Sequence, residues 1–423
     1  MNDRVVAGID IGTSKVAVLI AQFSDQEATP RVMGFASVVS QGIKRGQIID
    51  IRKVTDTIER CVEKAERMAG KKIDRAYIAI GGPHINSINS HGVVAVHQPN
   101  IEITSDDVTR AIEAAKAISL SSTREIIEVI PREYVVDGQD GIKNPLGMTG
   151  VRLEVNTHII TAGLTNIRNV ERCLADLGIE NERIVFTGFA SSLSSVTDTE
   201  KELGVALVDI GGGKTDVCVY VDGALSYSSS LPMGARNITN DIAVGLRVSL
   251  DSAEKIKLFL VEKILKKHET LGKKDEIDIR HLALPEGIYS ISYKTILDGI
   301  IKPRLEEIFE KVYIEIESTG FHTLIPSGLV IVGGGALTIG VIQSAKKSVG
   351  LSARIGIPSG VTGLIDEVVY PQYTAVAGLL LYVQNNDYRQ EKTYLKNFSH
   401  IFKHFEPKHF FSKIINTLKS FMP

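Results

Sequence analysis

One local pattern occurs twice in this chain, about 200 positions apart. In each copy an apolar run leads into Asp-Ile-Gly, two small residues and a lysine, and a second apolar run follows. We call residues 10–15 loop 1 and residues 209–214 loop 2. A strand, a tight turn and a strand at both places predict two β-hairpins, and the repetition predicts two copies of one α/β unit. Two such turns facing one another would form a cleft lined by backbone N–H groups.

The two loops have the chemistry of a phosphate site. Successive N–H groups of a glycine turn form a concave site for anions, and glycine has no Cβ to keep a phosphate at a distance. The hydroxyl groups of loop 1 can donate to phosphate oxygens, and its lysine can neutralise their charge. The predicted phosphate-binding residues are Gly12, Thr13, Ser14, Lys15, Gly211, Gly212, Gly213 and Thr215.

An acidic residue opens each loop. Asp10 and Asp209 would repel phosphates on direct contact, so we expect them to hold Mg²⁺ through water. A third loop, residues 333–335, follows a predicted buried strand and is expected to open a helix from about Leu337. Its glycines would let the backbone pass close to the adenosine of ATP.

Each loop alone is a weak signal, because a glycine run after a strand is usually a simple turn. The ordered set of three in one chain is far more specific. The sequence has no Gly-x-x-x-x-Gly-Lys-Ser/Thr motif and no Gly-x-Gly-x-x-Gly motif, which argues against the P-loop and Rossmann classes.

Size and composition exclude several other classes. The 423 residues predict two to four domains, and a net charge of −2 gives no general attraction to nucleic acid. Cys61, Cys173 and Cys218 share no metal-ligand spacing and are interpreted as small buried residues in a reduced cytosol. We expect no signal peptide and no transmembrane helix, since a strand-like run follows Arg4 directly and no long apolar stretch occurs.

At these motifs the sequence resembles the actin, Hsp70 and sugar-kinase ATPase superfamily. Loops 1 and 2 match its phosphate motifs, and residues 331–336 match its adenosine motif. Residues 188–192 and 373–378 match its two hinge helices, where small side chains let the helices cross closely. One glutamate and one lysine, a helical turn apart, match residues that flank the adenosine in the superfamily. The alternative is an ordinary solvated ion pair on the surface of a helix. The adenosine-binding residues implied by the resemblance are Glu254, Lys257, Gly333, Gly334 and Gly335.

Within that superfamily the chain is most similar to FtsA, the bacterial cell-division actin, over nearly its whole length. Loop 1 has the form found in FtsA, and the α+β segment after Gly82 falls where FtsA carries its distinctive subdomain 1C. That segment continues through residues 131–134 and 144–148 in the same manner. The resemblance implies an actin-like fold of two duplicated lobes around a nucleotide cleft, with an inserted α+β subdomain and a C-terminal amphipathic helix.

The chain is divided accordingly into named parts. Lobe 1 comprises residues 1–83 and 163–195, and the insertion comprises residues 84–162. Lobe 2 comprises residues 196–370. The smaller predicted segments are the lobe 2 core at 196–233, the upper subdomain 2B at 234–320, the rest of lobe 2 with the adenosine motif at 321–370, the second hinge helix at 371–383, a polar and basic linker at 384–406 and the amphipathic helix at 407–423.

The tail separates completely into two faces on a helical wheel. Its apolar residues from Phe410 to Met422 fall within one arc of roughly 140°, and its basic and polar residues fall outside it. This pattern is typical of a helix lying in an anionic membrane surface; the alternative is a helix docked on the protein's own core. The predicted membrane-binding residues are Phe410, Phe411, Lys413, Ile414, Ile415, Leu418, Lys419 and Phe421.

A second amphipathic pattern precedes Pro407, within residues 395–406. Its apolar residues share one helical face, and lysines and histidines lie opposite. Two interpretations stay open: a second membrane helix, or a helix packed on the globular body. The apolar residues are Leu395, Phe398, Ile401, Phe402 and Phe405.

By resemblance the chain is a division adaptor. It would bind ATP, polymerise head to tail and tether the tubulin-like protein FtsZ to the cytoplasmic face of the inner membrane at the division site. The FtsZ C-terminal peptide would bind subdomain 2B, where Lys302 and Arg304 near a helix start suit an acidic peptide. The insertion would contact late division proteins. We expect no nucleic-acid partner and at most a weak ATPase, because no strong general base is evident in the sequence.

Three alternatives share the fold class. An Hsp70-like ATPase would need a downstream peptide-binding domain, and too few residues follow position 383 for one. A sugar kinase would need a catalytic aspartate in the cleft and has no use for the amphipathic tail. A pilus-assembly actin homologue shares the fold but lacks the terminal amphipathic helix.

Overall fold

The computed structural model describes residues 4–24, 29–96, 102–265, 275–363 and 366–385. Met1–Leu381 form one compact unit, and Tyr382–Pro423 form a second, of which residues 382–385 are described and helical. The predicted membrane-binding residues from Phe410 to Phe421, and the amphipathic pattern at residues 395–406, lie outside the described residues. Within the described ranges, no helix is both long enough and apolar enough to cross a bilayer.

The elements of the described chain alternate between strands and helices. The strands are β1 Arg4–Ile11, β2 Lys15–Phe23, β3 Arg31–Val39, β4 Ile43–Lys44, β5 Gln47–Ile48, β6 Arg75–Ile80, β7 Asn86–Ala95, β8 Arg124–Val136, β9 Gln139–Ile142, β10 Arg152–Gly163, β11 Glu180–Phe186, β12 Val205–Ile210, β13 Thr215–Val221, β14 Ala224–Leu231, β15 Glu276–Asp278, β16 Ser290–Ser292, β17 Leu329–Val332, β18 Ala353–Ile355 and β19 Thr362–Gly363. The helices are α1 Ile51–Ala69, α2 Ser105–Lys116, α3 Leu164–Ala175, α4 Thr187–Ser195, α5 Asp198–Leu203, α6 Ala235–Leu246, α7 Leu250–Leu265, α8 Tyr293–Ile296, α9 Lys302–Ser318, α10 Val341–Val349 and α11, residues 374–381.

The sheet of lobe 1 has the strand order β11-β6-β1-β2-β3-β19, with β1 antiparallel to β2 and parallel to β6. Helix α1 covers it and is capped at both ends. The Asp50 carboxylate accepts a hydrogen bond from the backbone N of Lys53, and Gly70, with φ of 64°, ends the helix in the left-handed conformation. Strand β19 joins this sheet, although the predicted division places residues 362–363 in lobe 2.

The sheet of lobe 2 has the strand order β14-β13-β12-β17-β18. Strand β12 is antiparallel to β13 and parallel to β17, and it is buried along its whole length. The two sheets therefore correspond strand by strand, with β12 in the place of β1, β13 in the place of β2 and β17 in the place of β6. The predicted duplication of one α/β unit is confirmed.

The insertion contains its own four-stranded sheet, ordered β7-β10-β8-β9, and helix α2 packs on it. Helix α2 begins with a capping box, in which the Thr104 hydroxyl accepts from the backbone N of Asp107 and the Asp107 carboxylate accepts from the backbone N of Thr104. Ala111 and Ala115 are fully buried in a small separate core. The hydroxyl residues Thr104 and Ser105, followed by two aspartates, predict a helix start at one of these two positions, and the helix begins there.

The insertion also contacts the edge strand of lobe 2. The Ser87 hydroxyl donates to the carbonyl of Ser228 at 2.7 Å and accepts from the backbone N of Ser228 at 3.2 Å. The Asn89 amide donates to the carbonyl of Ser226 at 3.1 Å. His158 is buried between Asn89 and Ser228, at 2.7 and 3.0 Å, and burial lowers its pKa to about 3, so its ring is neutral. Side chains of the insertion thus satisfy outward backbone groups of β14.

The segment after the third loop differs from its prediction. Residues Gly334–Leu337 form a 3₁₀ turn, and the α-helix begins only at Val341. Gly340, with φ of 83°, has the left-handed conformation that separates the two. The prediction of a helix from about Leu337 is therefore wrong by one turn. The three cysteines are free and buried, as expected.

Candidate nucleotide-binding site

The two predicted loops close with the same hydrogen bond. In loop 1 the backbone N of Gly12 donates to the carbonyl of Lys15 at 3.0 Å, and in loop 2 the backbone N of Gly211 donates to the carbonyl of Lys214 at 2.9 Å. Both turns join an inner strand, whose last six residues are buried, to its antiparallel neighbour. The sequence repeat is therefore a structural repeat at the level of single hydrogen bonds.

Loops 1 and 2 lie against each other. A Cβ on Gly212 would overlap Oγ of Ser14, and a Cβ on Gly213 would lie 2.9 Å from Cγ2 of Thr13. Neither position has room for a larger residue. Thr13 is buried, and its hydroxyl accepts a hydrogen bond from the backbone N of Gly46 at 3.0 Å. The structure thus brings together the residues predicted to bind phosphate from both lobes.

Thr215 differs from the other predicted phosphate ligands. It is fully buried in β13, and its hydroxyl donates to the carbonyl of Met233 at 2.9 Å. The side chain therefore fixes the strand after loop 2 to the segment before helix α6. The start of α6 is also tied to loop 2, because the backbone N of Arg236 donates to the carbonyl of Gly212 at 2.7 Å.

The third loop lies beside the acidic residue of loop 2. Asp209 accepts a hydrogen bond from the Ser191 hydroxyl at 2.7 Å, and a Cβ on Gly333 would overlap its carboxylate. Gly333 has φ of 81°, and its backbone N donates to the carbonyl of Pro371 at 3.0 Å. A Cβ on Gly334 would meet no atom of the described chain within 4 Å. One end of this loop, at Gly333, therefore contacts Asp209, and the next residue, Gly334, faces open space.

Lys15 turns towards the start of α11. Its Nζ donates to the carbonyl of Gln372 at 2.5 Å and lies 4.5 Å from the centroid of the Tyr373 ring. Burial lowers the pKa of Lys15 to about 8, although the charges of Asp10 and Asp209 act in the opposite direction. Lys15 therefore loses its proton at a lower pH than an exposed lysine does.

Asp10 has the environment of a carboxylate that needs a cation. Burial raises its pKa to about 6, even though Lys15 and Lys214 attract its negative form. Among the described residues, no three His, Cys, Asp or Glu side chains are grouped to hold a metal by themselves. A site of this kind fits Mg²⁺, which commonly takes one or two carboxylates and completes its shell with water and phosphate oxygens.

Lys214 and Asp216 form a buried ion pair that the predicted site residues did not include. Lys214 is 6% exposed and Asp216 is fully buried, and the Lys214 ammonium donates to the Asp216 carboxylate. Ser230 also donates to Asp216, at 2.5 Å. Burial acts to lower the pKa of Lys214, but the charges of Asp216 and Asp209 outweigh it and the pKa is raised. Its position in loop 2, equivalent to Lys15 in loop 1, was the available sequence signal.

Glu254 and Lys257 form an ion pair in which the lysine is buried and the glutamate side chain is partly exposed. Lys257 is 9% exposed, and its Nζ donates to Glu254 at 2.7 Å and to the Thr239 hydroxyl at 2.8 Å. Thr239 in turn donates to Glu254 at 2.5 Å. The three side chains bind helix α7 to helix α6, whose first turn rests on loop 2. Their role towards an adenosine stays a prediction.

The two predicted hinge helices cross at small residues. A Cβ on Gly378 in α11 would overlap the carbonyl of Ala190 in α4. The Ser194 hydroxyl donates to the carbonyl of Thr374 at 2.7 Å, which joins the same helices. Because the Ser191 hydroxyl on α4 donates to Asp209, a hydrogen bond connects the first hinge helix directly to the site.

Two family models match the chain. A model described as "SHS2 domain inserted in FTSA" matches residues 82–161, and a model described as "Cell division protein FtsA" matches residues 206–378. Curated relatives named "Cell division protein FtsA" are similar over most of their length. The chain is 34% identical to that of Pseudomonas aeruginosa over 90% of this chain and 89% of the relative, and 35% identical to that of Bacillus subtilis over 91% and 84%.

Solved structures resemble the chain at the level of the fold. The structure described as "PilM-PilN type IV pilus biogenesis complex" aligns with a TM-score of 0.62 and 16% identity, covering 89% of this chain and 98% of that one. MreB5 of Spiroplasma citri bound to AMPPNP aligns with a TM-score of 0.53 and 14% identity, covering 93% and 99%. The fold is therefore actin-like, as predicted.

Proposed function

This chain belongs to the FtsA family of cell-division proteins, and from that premise we propose that it binds ATP with Mg²⁺ between its two lobes. In this proposal it polymerises, holds FtsZ at the cytoplasmic face of the inner membrane and helps to recruit later division proteins. An Hsp70-like chaperone, a sugar kinase and a pilus-assembly homologue are not favoured, because the relatives at 34–35% identity are division proteins.

The contact between loops 1 and 2 is the observation that carries the ATP proposal. Gly212 and Gly213 come from lobe 2, and Ser14 and Thr13 meet them from lobe 1 without room for any further side chain atom. Backbone N–H groups and hydroxyl groups from both lobes therefore converge where the phosphates of a nucleotide would lie. The predicted phosphate-binding and adenosine-binding residues keep these roles in the proposal.

Asp10 and Asp209 would hold Mg²⁺ through water. The bound ion would neutralise part of the phosphate charge. The chain's own contribution is orientation, because Ser191 holds the Asp209 carboxylate from the first hinge helix. We propose that ATP acts mainly by setting the angle between the lobes and the contact between subunits, with at most slow hydrolysis.

Nucleotide titration tests this proposal. Wild-type protein should bind a fluorescent ATP analogue in the presence of Mg²⁺, and unlabelled ATP should displace it. Gly212→Ala should weaken binding by about tenfold or more, because the added methyl group forces the loops apart. Gly299→Ala is the matched control, since a Cβ there would meet no atom of the described chain within 4 Å. Equal affinities for the two variants would contradict the placement of the phosphates.

Subdomain 2B is the proposed site of the FtsZ peptide, but its two predicted cations are already paired within the chain. Arg304 donates to Asp241 through two nitrogens and also to Glu307. Lys302 donates to Asp298 at 2.6 Å. An acidic peptide would therefore have to compete with internal carboxylates for either cation.

Membrane attachment is proposed through residues 407–423. The complete separation of apolar and basic residues in that segment supports a helix in the membrane interface. A single short helix should bind reversibly, and a filament carrying many such helices should bind far more tightly.

Co-sedimentation with anionic liposomes tests the attachment. Removal of residues 410–423 should remove most of the binding. Residual binding by a chain that ends at Glu406, compared with one that ends at Gln384, would show that residues 395–406 also bind the membrane. Full binding after loss of the last segment would refute the tail proposal without affecting the ATP proposal.

A further inference from the structure

Lys214 spans the cleft between the lobes. Its backbone closes loop 2 in lobe 2, whereas its ammonium lies against lobe 1, because a Cβ on Gly81 would overlap Nζ of Lys214. Gly81 directly follows β6, the strand parallel to β1. The ammonium is therefore placed between loop 2 and the end of β6, where the acidic residues of both phosphate loops act on its charge.

The hairpin of loop 2 does not need the buried Lys214–Asp216 ion pair in order to form. The other hairpin has the same turn and the same register, yet Ala17 stands opposite Asp10 where Asp216 stands opposite Asp209. A buried ion pair is also a weak source of stability, since apolar residues of similar size often do as well. The pair thus calls for an explanation other than folding.

The ammonium has donors to spare. A lysine carries three N–H donors, and within the described chain Lys214 donates only to Asp216. Asp10, Asp209 and Asp216 all lie close enough to act on the charge of Lys214. With Lys15 included, three carboxylates face two lysines, so the site holds an excess of negative charge that an incoming phosphate would meet unless a cation screens it.

We propose that Lys214 binds the terminal phosphate of the nucleotide and supplies part of the positive charge that Mg²⁺ supplies at the same site. This inference rests on the proposed ATP function and adds a ligand to it. Two N–H groups of the ammonium reach the phosphate while the third stays on Asp216. As a result, the protein retains nucleotide when Mg²⁺ is withdrawn.

The test is nucleotide affinity with excess Mg²⁺ and with EDTA, measured on the full chain by displacement of a fluorescent ATP analogue. The ATP affinity of the wild type should fall by less than about tenfold when Mg²⁺ is removed. Relative to the wild type under the same condition, Lys214→Met should bind ATP about tenfold more weakly with Mg²⁺ and about a hundredfold more weakly with EDTA. These factors are in the range expected for the loss of a charge-assisted hydrogen bond. Lys214→Arg should restore most of the affinity, and Lys311→Met, at an exposed lysine of α9, should change nothing.

A second variant guards against a folding defect. Lys214→Met leaves Asp216 buried without its cation, so the double variant Lys214→Met with Asp216→Ala removes both charges of the pair and places at position 216 the alanine that the other hairpin has at Ala17. It should fold with a wild-type melting temperature and still bind ATP weakly. AMP, which lacks the terminal phosphates, should bind to wild type and to the double variant with equal affinity.

Three results would overturn the inference. Wild-type ATP affinity in the double variant under both conditions would make Lys214 a purely structural partner of Asp216. An equal loss for ATP and AMP would place its effect away from the phosphates. Absence of nucleotide binding by the wild type would refute the ATP proposal itself, and this inference with it.

Discussion

The hairpin of lobe 1 and the hairpin of lobe 2 share a turn, a register and a lysine, but their lysines have different environments. Lys15 reaches a carbonyl and an aromatic ring at the start of α11. Lys214 reaches a buried carboxylate within its own hairpin. The difference follows from one position, because Asp216 in lobe 2 corresponds to Ala17 in lobe 1.

The lysines of the two duplicated loops have pKa values that shift in opposite directions. Where the neighbouring strand offers no acid, burial dominates and lowers the pKa of Lys15 to about 8. Where the strand offers Asp216, the pKa of Lys214 is raised despite burial, and its charge is permanent at physiological pH. Four experiments test whether the two hairpins differ in this way.

Removal of the acid should have the largest effect. Asp216→Ala leaves the Lys214 ammonium buried without its partner, and breaking such a pair costs about 3 kcal/mol or more of unfolding free energy. Urea denaturation measures the loss. Ser230→Ala is the control, since it removes only a neutral hydroxyl donor to Asp216 and should cost about 1 kcal/mol. A loss below that of the control would mean that Asp10 and Asp209 hold Lys214 unaided.

The first glycine of each loop should differ in how much an alanine there destabilises the protein. A Cβ on Gly12 would lie 2.8 Å from the carbonyl oxygen of Lys15, whereas a Cβ on Gly211 would lie 3.2 Å from that of Lys214. We expect Gly12→Ala to cost about 2 kcal/mol and Gly211→Ala about 1 kcal/mol or less, because overpacking is penalised by how little the neighbour can move. Thermal unfolding of the two variants measures the difference. A larger loss of stability in Gly211→Ala than in Gly12→Ala would contradict the described turn geometry.

The two lysines should respond differently to pH. Bound phosphates hold the Lys15 proton more tightly than the empty site does, so above pH 8 binding must take up a proton and affinity falls as pH rises. The decline should approach tenfold per pH unit at most. ATP titrations between pH 7.5 and about 9.5 should show it in wild type and in Lys214→Met, but not in Lys15→Met. A decline that persists in Lys15→Met would assign it to another group.

The smallest effect is expected at the aromatic partner of Lys15. Tyr373→Leu removes a cation–π contact worth about 0.5–1 kcal/mol, so ATP affinity should change by about two- to fivefold. Tyr373→Phe keeps the ring and should bind ATP as wild type does. A loss of affinity in Tyr373→Phe would show that the hydroxyl group, rather than the ring, matters.

The sequence predicted the two loop hairpins, the inner strands and the capped helix α2, because each of these follows from a pattern of neighbouring residues. It did not predict β14, although the strand is eight residues long. Its run of serines has the polarity of a loop. It forms a strand because its backbone pairs with β13, and the insertion supplies partners for its serine side chains from remote positions, such as His158 for Ser228.

The same limit applies to the site. The loops and their acidic residues followed from motifs, and the structure brings them together. The direction of Lys214 did not follow, because it depends on the register that sets Asp216 within reach and on Gly81 approaching from the other lobe. Contacts between parts remote in sequence carry no local signal.

The cover that the insertion places on β14 has a consequence for assembly. An unpaired edge strand is a template on which another chain can add a strand, and proteins commonly block such edges. Here Ser87 and Asn89 occupy the outward backbone groups of Ser226 and Ser228 with side chains instead of a further strand. The insertion therefore leaves those backbone groups of the lobe 2 sheet unavailable for edge-to-edge pairing with another chain.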